Sequence, residues 1–145
     1  MTLGVTRDEH ADRMRRTAEE CSRRGLDGLL AWSRGGGTVD SCGDVLYLAN
    51  FSTPIPRHQN QPPVWAGRGY AAVYVPADGE PVLVADLPDY RSDLVAVDDV
   101  RVGLDVPKTV AHALTERGAA AGRIGLAGGE VISWEELREQ LRRSV

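Results

Sequence analysis

The residues Tyr70-Ala71-Ala72-Val73-Tyr74-Val75 form the longest uninterrupted apolar run in the chain, six residues. That length suits a buried strand and falls far short of the ~20 residues that a membrane-spanning helix needs. A tight turn signal follows at once, Ala77-Asp78-Gly79-Glu80, and a second apolar run returns over 81–86. Asp-Gly between two apolar runs is a hairpin signal, and Pro81 is tolerable at the first position of the returning strand. An antiparallel hairpin is therefore built into the middle of the chain. The sequence around it alternates helical and strand patterns.

The first helix is the best marked. Thr6-Arg7-Asp8-Glu9 has the capping-box form, Thr6 capping and Glu9 reaching back. Ala11, Met14, Ala18 and Cys21 recur at spacings of 3, 4 and 3, one face of a helix over 7–24. Gly25 stands where a left-handed C-terminal cap belongs. A short apolar run, 26–32, reads as a buried strand. Asp44 caps a short helix over 45–50. Residues 89–95 suggest another short helix, and 100–104 a strand. Val106, Val110 and Leu114 place a helix over 107–117, with Pro107 suited to its first turn. A last strand covers 123–127. Ser133 and Glu136 form a second capping box, and Trp134, Leu137 and Leu141 line the inner face of the helix that follows. Helices alternating with short strands predict a three-layer α/β domain with a mixed five-stranded sheet, one antiparallel hairpin and helices on both faces. The 145 residues fit one domain, since a domain takes roughly 100–200.

Charge excludes some functions. The formal net charge is −4, which repels a phosphate backbone and argues against nucleic-acid binding. The N-terminus carries Arg7, Asp8, Glu9 and His10 where a signal peptide needs an apolar core. Cys21 and Cys42, without an export signal, read as reduced thiols of a cytoplasmic protein.

The usual chemical motifs are missing. His10, His58 and His112 are dispersed, with His10 expected at the solvent face of its helix, and no HExxH or CxxC occurs. Asp98 and Asp99 are neighbours on a strand and point to opposite faces, a poor pair for one ion. Gly35-Gly36-Gly37-Thr38 follows a strand, but Asp40 stands where a dinucleotide loop needs its third Gly. Cys21 lies on an apolar face and Cys42 has no identifiable base. No catalytic residue and no metal ligand is assigned. One stretch remains: residues 52–69 carry Arg57, His58, Gln59, Asn60, Gln61, Trp65 and Arg68. An arginine can grip a carboxylate through two parallel hydrogen bonds, and Trp65 offers an apolar wall. This stretch is either a surface loop or a contact for a ligand or partner.

Four stretches together resemble the N-terminal domain of the creatinase/prolidase family, the Xaa-Pro aminopeptidases and dipeptidases. They are the first helix with Gly25-Leu26-Asp27-Gly28-Leu29-Leu30; Asp44-Val45-Leu46-Tyr47-Leu48-Ala49-Asn50-Phe51; the hairpin over 70–86 with Val75-Pro76-Ala77-Asp78-Gly79-Glu80-Pro81; and Arg123-Ile124-Gly125-Leu126. Asp44 replaces the family's usual Asn, and Ala49 and Asn50 replace Thr and Gly, which alters the turn before Phe51. Residues 52–69 follow no family pattern.

The resemblance implies a ribonuclease-H-like motif for 1–145 and no cofactor in this chain. In that family a separate C-terminal pita-bread domain holds two divalent metal ions, such as manganese or cobalt, on two Asp, one His and two Glu. The implied role is non-catalytic: dimerisation, and capping of a partner subunit's active site. Partners would then be the C-terminal catalytic domain, a second copy and a peptide substrate. In that family a basic residue of the loop after the Phe51 equivalent can meet a substrate carboxylate; Arg57 and His58 are the candidates for that contact here, with Trp65 beside them as the apolar wall already noted. The alternative is a stand-alone protein- or peptide-binding module of the same fold, without enzymatic activity.

Overall fold

A computed structural model describes residues 4–35, 43–53, 69–128 and 134–143, with the side chains of residues 134 and 136 set aside. The elements run α1 (Arg7–Arg23), β1 (Gly28–Arg34), α2 (Gly43–Ala49), β2 (Tyr70–Pro76), β3 (Val82–Ala85), β4 (Asp99–Val102), α3 (Val106–Glu116), β5 (Ile124–Ala127) and α4 (Trp134–Arg143). The five strands lie in the order β4-β3-β2-β1-β5. β2 pairs antiparallel with β1 and with β3, whereas β3–β4 and β1–β5 are parallel pairs. Only β2 therefore runs against the rest. The mixed sheet with its hairpin is as the sequence implied.

Strand alternation divides the core. Leu30, Trp32, Tyr70, Ala72, Tyr74, Val82 and Val84 face one side, against Val106, Val110 and Leu114 of α3 and Leu137 of α4. Ala31, Ala71, Val73, Val75, Leu83 and Ala85 face the other, against Met14 of α1 and Val45, Leu48 and Ala49 of α2. Register explains the match: Leu30 sits opposite Tyr74 and Trp32 opposite Ala72, so like faces meet across the pair. Helices thus cover both faces.

The helix ends follow local chemistry. The Thr6 side chain accepts from the Glu9 N–H at 3.2 Å, closing the N-terminus of α1. At the other end Gly25 takes φ +66°, and the N–H of Leu26 donates to the Cys21 carbonyl at 2.9 Å, a Schellman closure. Asp105 caps α3, its carboxylate accepting from the Lys108 N–H at 3.2 Å. Asn50 ends α2 at φ +54°. It stands where the resembled family carries glycine, and asparagine is among the few residues with a side chain that tolerate this left-handed backbone. Its amide donates to the Leu94 carbonyl at 3.0 Å.

Two expectations are corrected. Residues 89–95 form turns, not a helix: the N–H groups of Leu94 and Val95 both donate to the Arg91 carbonyl, and the Arg91 guanidinium pairs with Asp93. The apolar residues that follow, Val95, Ala96 and Val97, pack as irregular chain on the α1–α2 face, with the Ala96 N–H donating to the Ala49 carbonyl. His10 is buried at 2% exposure rather than solvent-facing, its Nδ1 2.9 Å from the Tyr47 carbonyl oxygen. Ala11 takes the exposed position instead. Tertiary contact with α2 sets the inward face of the first turn of α1.

Candidate functional site

Parallel strands β1, β3, β4 and β5 end at one edge of the sheet, where the antiparallel β2 begins. Ligands of open α/β sheets bind beyond this carboxyl edge, where loops rather than ladders occupy the backbone. The residues expected to contact substrate, Arg57, His58 and Trp65, belong to the segment entering β2 at this edge, and all three lie outside the described residues, as does Cys42.

The described base of that segment is fastened by a single carboxylate. Asp86 follows β3 directly and is 1% exposed. One of its oxygens accepts from the Thr53 hydroxyl at 3.1 Å, and the other accepts from the Gly69 N–H at 2.8 Å. Thr53 and Gly69 flank residues 54–68, so Asp86 ties the two ends of this stretch to each other and to the sheet. The carbonyl of Gly69 in turn accepts from the Gly35 N–H at 2.6 Å, linking the end of β1. Gly69 itself takes φ +73°, a conformation that side-chain-bearing residues rarely adopt. A buried carboxylate is tolerable because its oxygens are hydrogen-bonded.

Aromatic packing completes the base. Tyr70 meets Trp32 edge to face, centroids 6.3 Å apart and planes at 84°. The Arg34 guanidinium lies 4.6 Å from the centroid of the Tyr70 ring. Gly128, at φ +77°, lets the chain leaving β5 pass Trp32, since a Cβ there would sit 2.5 Å from the Trp32 carbonyl oxygen. This edge can position loops and hold an arginine against an aromatic face.

At the opposite edge the charged groups form a structural network. Asp99 accepts from Arg101 and from Arg117, the latter at 2.7 Å, while Arg101 also pairs with Glu116. The Arg101 guanidinium, with Arg117 behind it, holds the Asp99 carboxyl below its ordinary value. Arg101 likewise lowers Glu116. Burial pushes the Tyr74 hydroxyl up, and burial raises the Cys21 thiol. The expectation that Asp98 and Asp99 diverge holds: Asp98 is 95% exposed and pairs with Arg7. His112 is exposed beside Glu116. Among the described residues no group of three or more His, Cys, Asp or Glu side chains is placed to hold a metal ion. No described helix is long and apolar enough to cross a membrane.

Sequence reasoning missed Asp86. Its signal was an acid directly abutting the buried run Val82-Leu83-Val84-Ala85, a position where an unpaired charge is costly.

No family model matches the sequence, and no curated protein matches it. Among solved structures the chain is similar to the crystal structure of the N-terminal domain of the cytoplasmic peptidase PepQ from Mycobacterium tuberculosis H37Rv. The TM-score is 0.60 at 20% sequence identity, with 92% of this chain and 84% of that chain covered. The protein described above therefore has the fold of that peptidase N-terminal domain, the fold that the resemblance of its sequence implied.

Proposed function

We propose that the chain serves as the non-catalytic N-terminal domain of an Xaa-Pro dipeptidase- or aminopeptidase-like metallohydrolase in the cytoplasm. The observation that carries this reading is the shared fold over 92% of the chain. The ordered set of family-like stretches supports it from the side of the sequence. In this reading a separate pita-bread domain binds two divalent ions, such as manganese or cobalt, and activates the water that cleaves the bond. The present chain contributes dimerisation and covers the active site of a partner subunit. The Asp86 fastening has a use in that role: a segment that contacts another subunit gains from having its flanking residues, here Thr53 and Gly69, held on a rigid sheet. Arg57 and His58 would meet a substrate carboxylate, beside the wall offered by Trp65.

The test begins with the coding sequence downstream of residue 145. The proposal predicts a pita-bread sequence carrying two Asp, one His and two Glu as metal ligands. In the assembled enzyme, Arg57→Ala should raise KM for a proline dipeptide with little change in metal content. A native stop codon at that point, with the chain purified from its source as a separate protein, contradicts the proposal.

A further inference from the structure

The groove between α1 and the outer edge of β5 carries features that neither the fold nor the proposed role uses. α1 packs over β1 and β2, and β5 is the outermost strand beyond β1. A cleft of about 500 Å³ is left between them, within the range of ligand-binding pockets. Its floor is apolar, built by Leu26 and Leu29, and its outer wall is Gly125 and Leu126 of β5.

Among the described residues that outer wall carries an unpaired ladder edge. The N–H of Arg123 donates to the Asp27 carboxylate and its carbonyl accepts from the Asp27 N–H, so Arg123 directs both groups toward β1. By strand alternation Gly125 and Ala127 do the same, and Ile124 and Leu126 turn their N–H and C=O groups outward. No described strand pairs with that edge. Leu126 packs its side chain on the far face of the sheet, which leaves its main chain to meet the groove.

The inner wall is cationic. Arg13, Arg16 and Arg24 line the cleft against one acid, Glu20. Arg13 is fixed in place, its guanidinium 4.2 Å from the centroid of the Tyr47 ring and bonded to the Tyr47 carbonyl. Arg16 and Arg24 are more than half exposed and hold divided partners: Asp12 serves both Arg15 and Arg16, and Glu20 serves both Arg23 and Arg24. Exposed ion pairs of this kind are weak, so an arriving carboxylate can displace them.

We propose that this groove receives the extended carboxyl-terminal end of a peptide, which adds a strand to β5 and places its terminal carboxylate on Arg16 and Arg24. The strand supplies main-chain hydrogen bonds to Ile124 and Leu126, and an apolar last side chain settles on Leu26 and Leu29. Planar guanidinium groups match a carboxylate better than a point charge does. The site lies on this chain alone and does not depend on a catalytic domain.

The test uses the 145-residue chain, isotopically labelled, titrated with the peptide acetyl-Val-Ala-Val-Leu bearing a free carboxylate. Saturable amide shifts at Ile124 and Leu126, with slowed hydrogen exchange at both, are expected. The same peptide with an amidated C-terminus should bind roughly tenfold more weakly, and so should the free acid to the Arg16→Gln, Arg24→Gln double variant. Both positions are surface-exposed, so the variant retains the fold. Equal affinity of acid and amide overturns the proposal. So does an unchanged double variant, an absence of saturable shifts, or binding of hexanoate alone at the arginines with no protection of β5 amides.

Discussion

Replacing Asp86 tests the fastening most sharply. In Asp86→Ala the Gly69 N–H and the Thr53 hydroxyl lose their shared acceptor inside the protein. A bond to a charged group is worth about 1.5–3 kcal/mol, and a buried donor left without a partner costs about 1–3 kcal/mol. The terms overlap, and the expected loss is about 3 kcal/mol, or ~10 °C in Tm for a chain of this length. Asp86→Asn separates geometry from charge. Its amide oxygen can still accept from the Gly69 N–H, and its NH₂ can donate to the Thr53 oxygen after the hydroxyl rotates. The loss should then be about 1 kcal/mol, as for Thr53→Val. Urea unfolding followed by tryptophan fluorescence and far-UV circular dichroism gives each value. The reasoning fails if Asp86→Ala lies within ~1 kcal/mol of the parent, or if Asn is as damaging as Ala.

Three further outcomes follow from the same structure. Leu137 is fully buried against the α3 side of the sheet, so Leu137→Ala should cost about 3 kcal/mol in urea unfolding. Gly128→Ala forces a side chain at φ +77° and into the Trp32 carbonyl, so its Tm should fall, whereas Gly43→Ala, where nothing lies within 4 Å, should leave Tm nearly unchanged. Stability also changes at both ends of the pH range. Asp99 is held below its ordinary value of 3.8, so its contribution is present above that pH and is lost as pH falls through the lowered value. Asp99→Asn should therefore be less stable than the parent at neutral pH, and the gap should narrow under acid. Tyr74 is raised above 10.0, so its contribution persists up to that pH and is lost as pH rises further, and Tyr74→Phe should flatten the alkaline limb.

Legibility followed the range of the forces involved. The N-cap of Thr6, the Schellman glycine at 25 and the Asp78-Gly79 turn act within a few residues and could be located in the sequence, although the Glu9 carboxylate pairs with Arg13 and not with the Thr6 N–H expected of it. The two-faced core could be read because helices alternate with short apolar strands along the chain. His10 could not, since what draws it inward is the Tyr47 carbonyl, 37 residues away. The supposed helix at 89–95 has enough apolar character to suggest one, but Leu94 is tied to Asn50 and Ala96 to Ala49, contacts that hold this stretch as turns and irregular chain. The parallel placement of β4 beside β3 and of β5 beside β1 is likewise long-range. At the site, the composition of residues 52–69 pointed to Arg57, His58 and Trp65, while the residue that fastens Thr53 to Gly69, Asp86, was hidden at the end of an ordinary strand pattern.

The most direct check is turnover by the purified 145-residue chain itself, incubated with proline dipeptides and added manganese or cobalt, with released proline measured. The account predicts none above the metal-only blank. Sustained, saturable release of proline that copurifies with this polypeptide would mean that a hydrolytic centre resides within it.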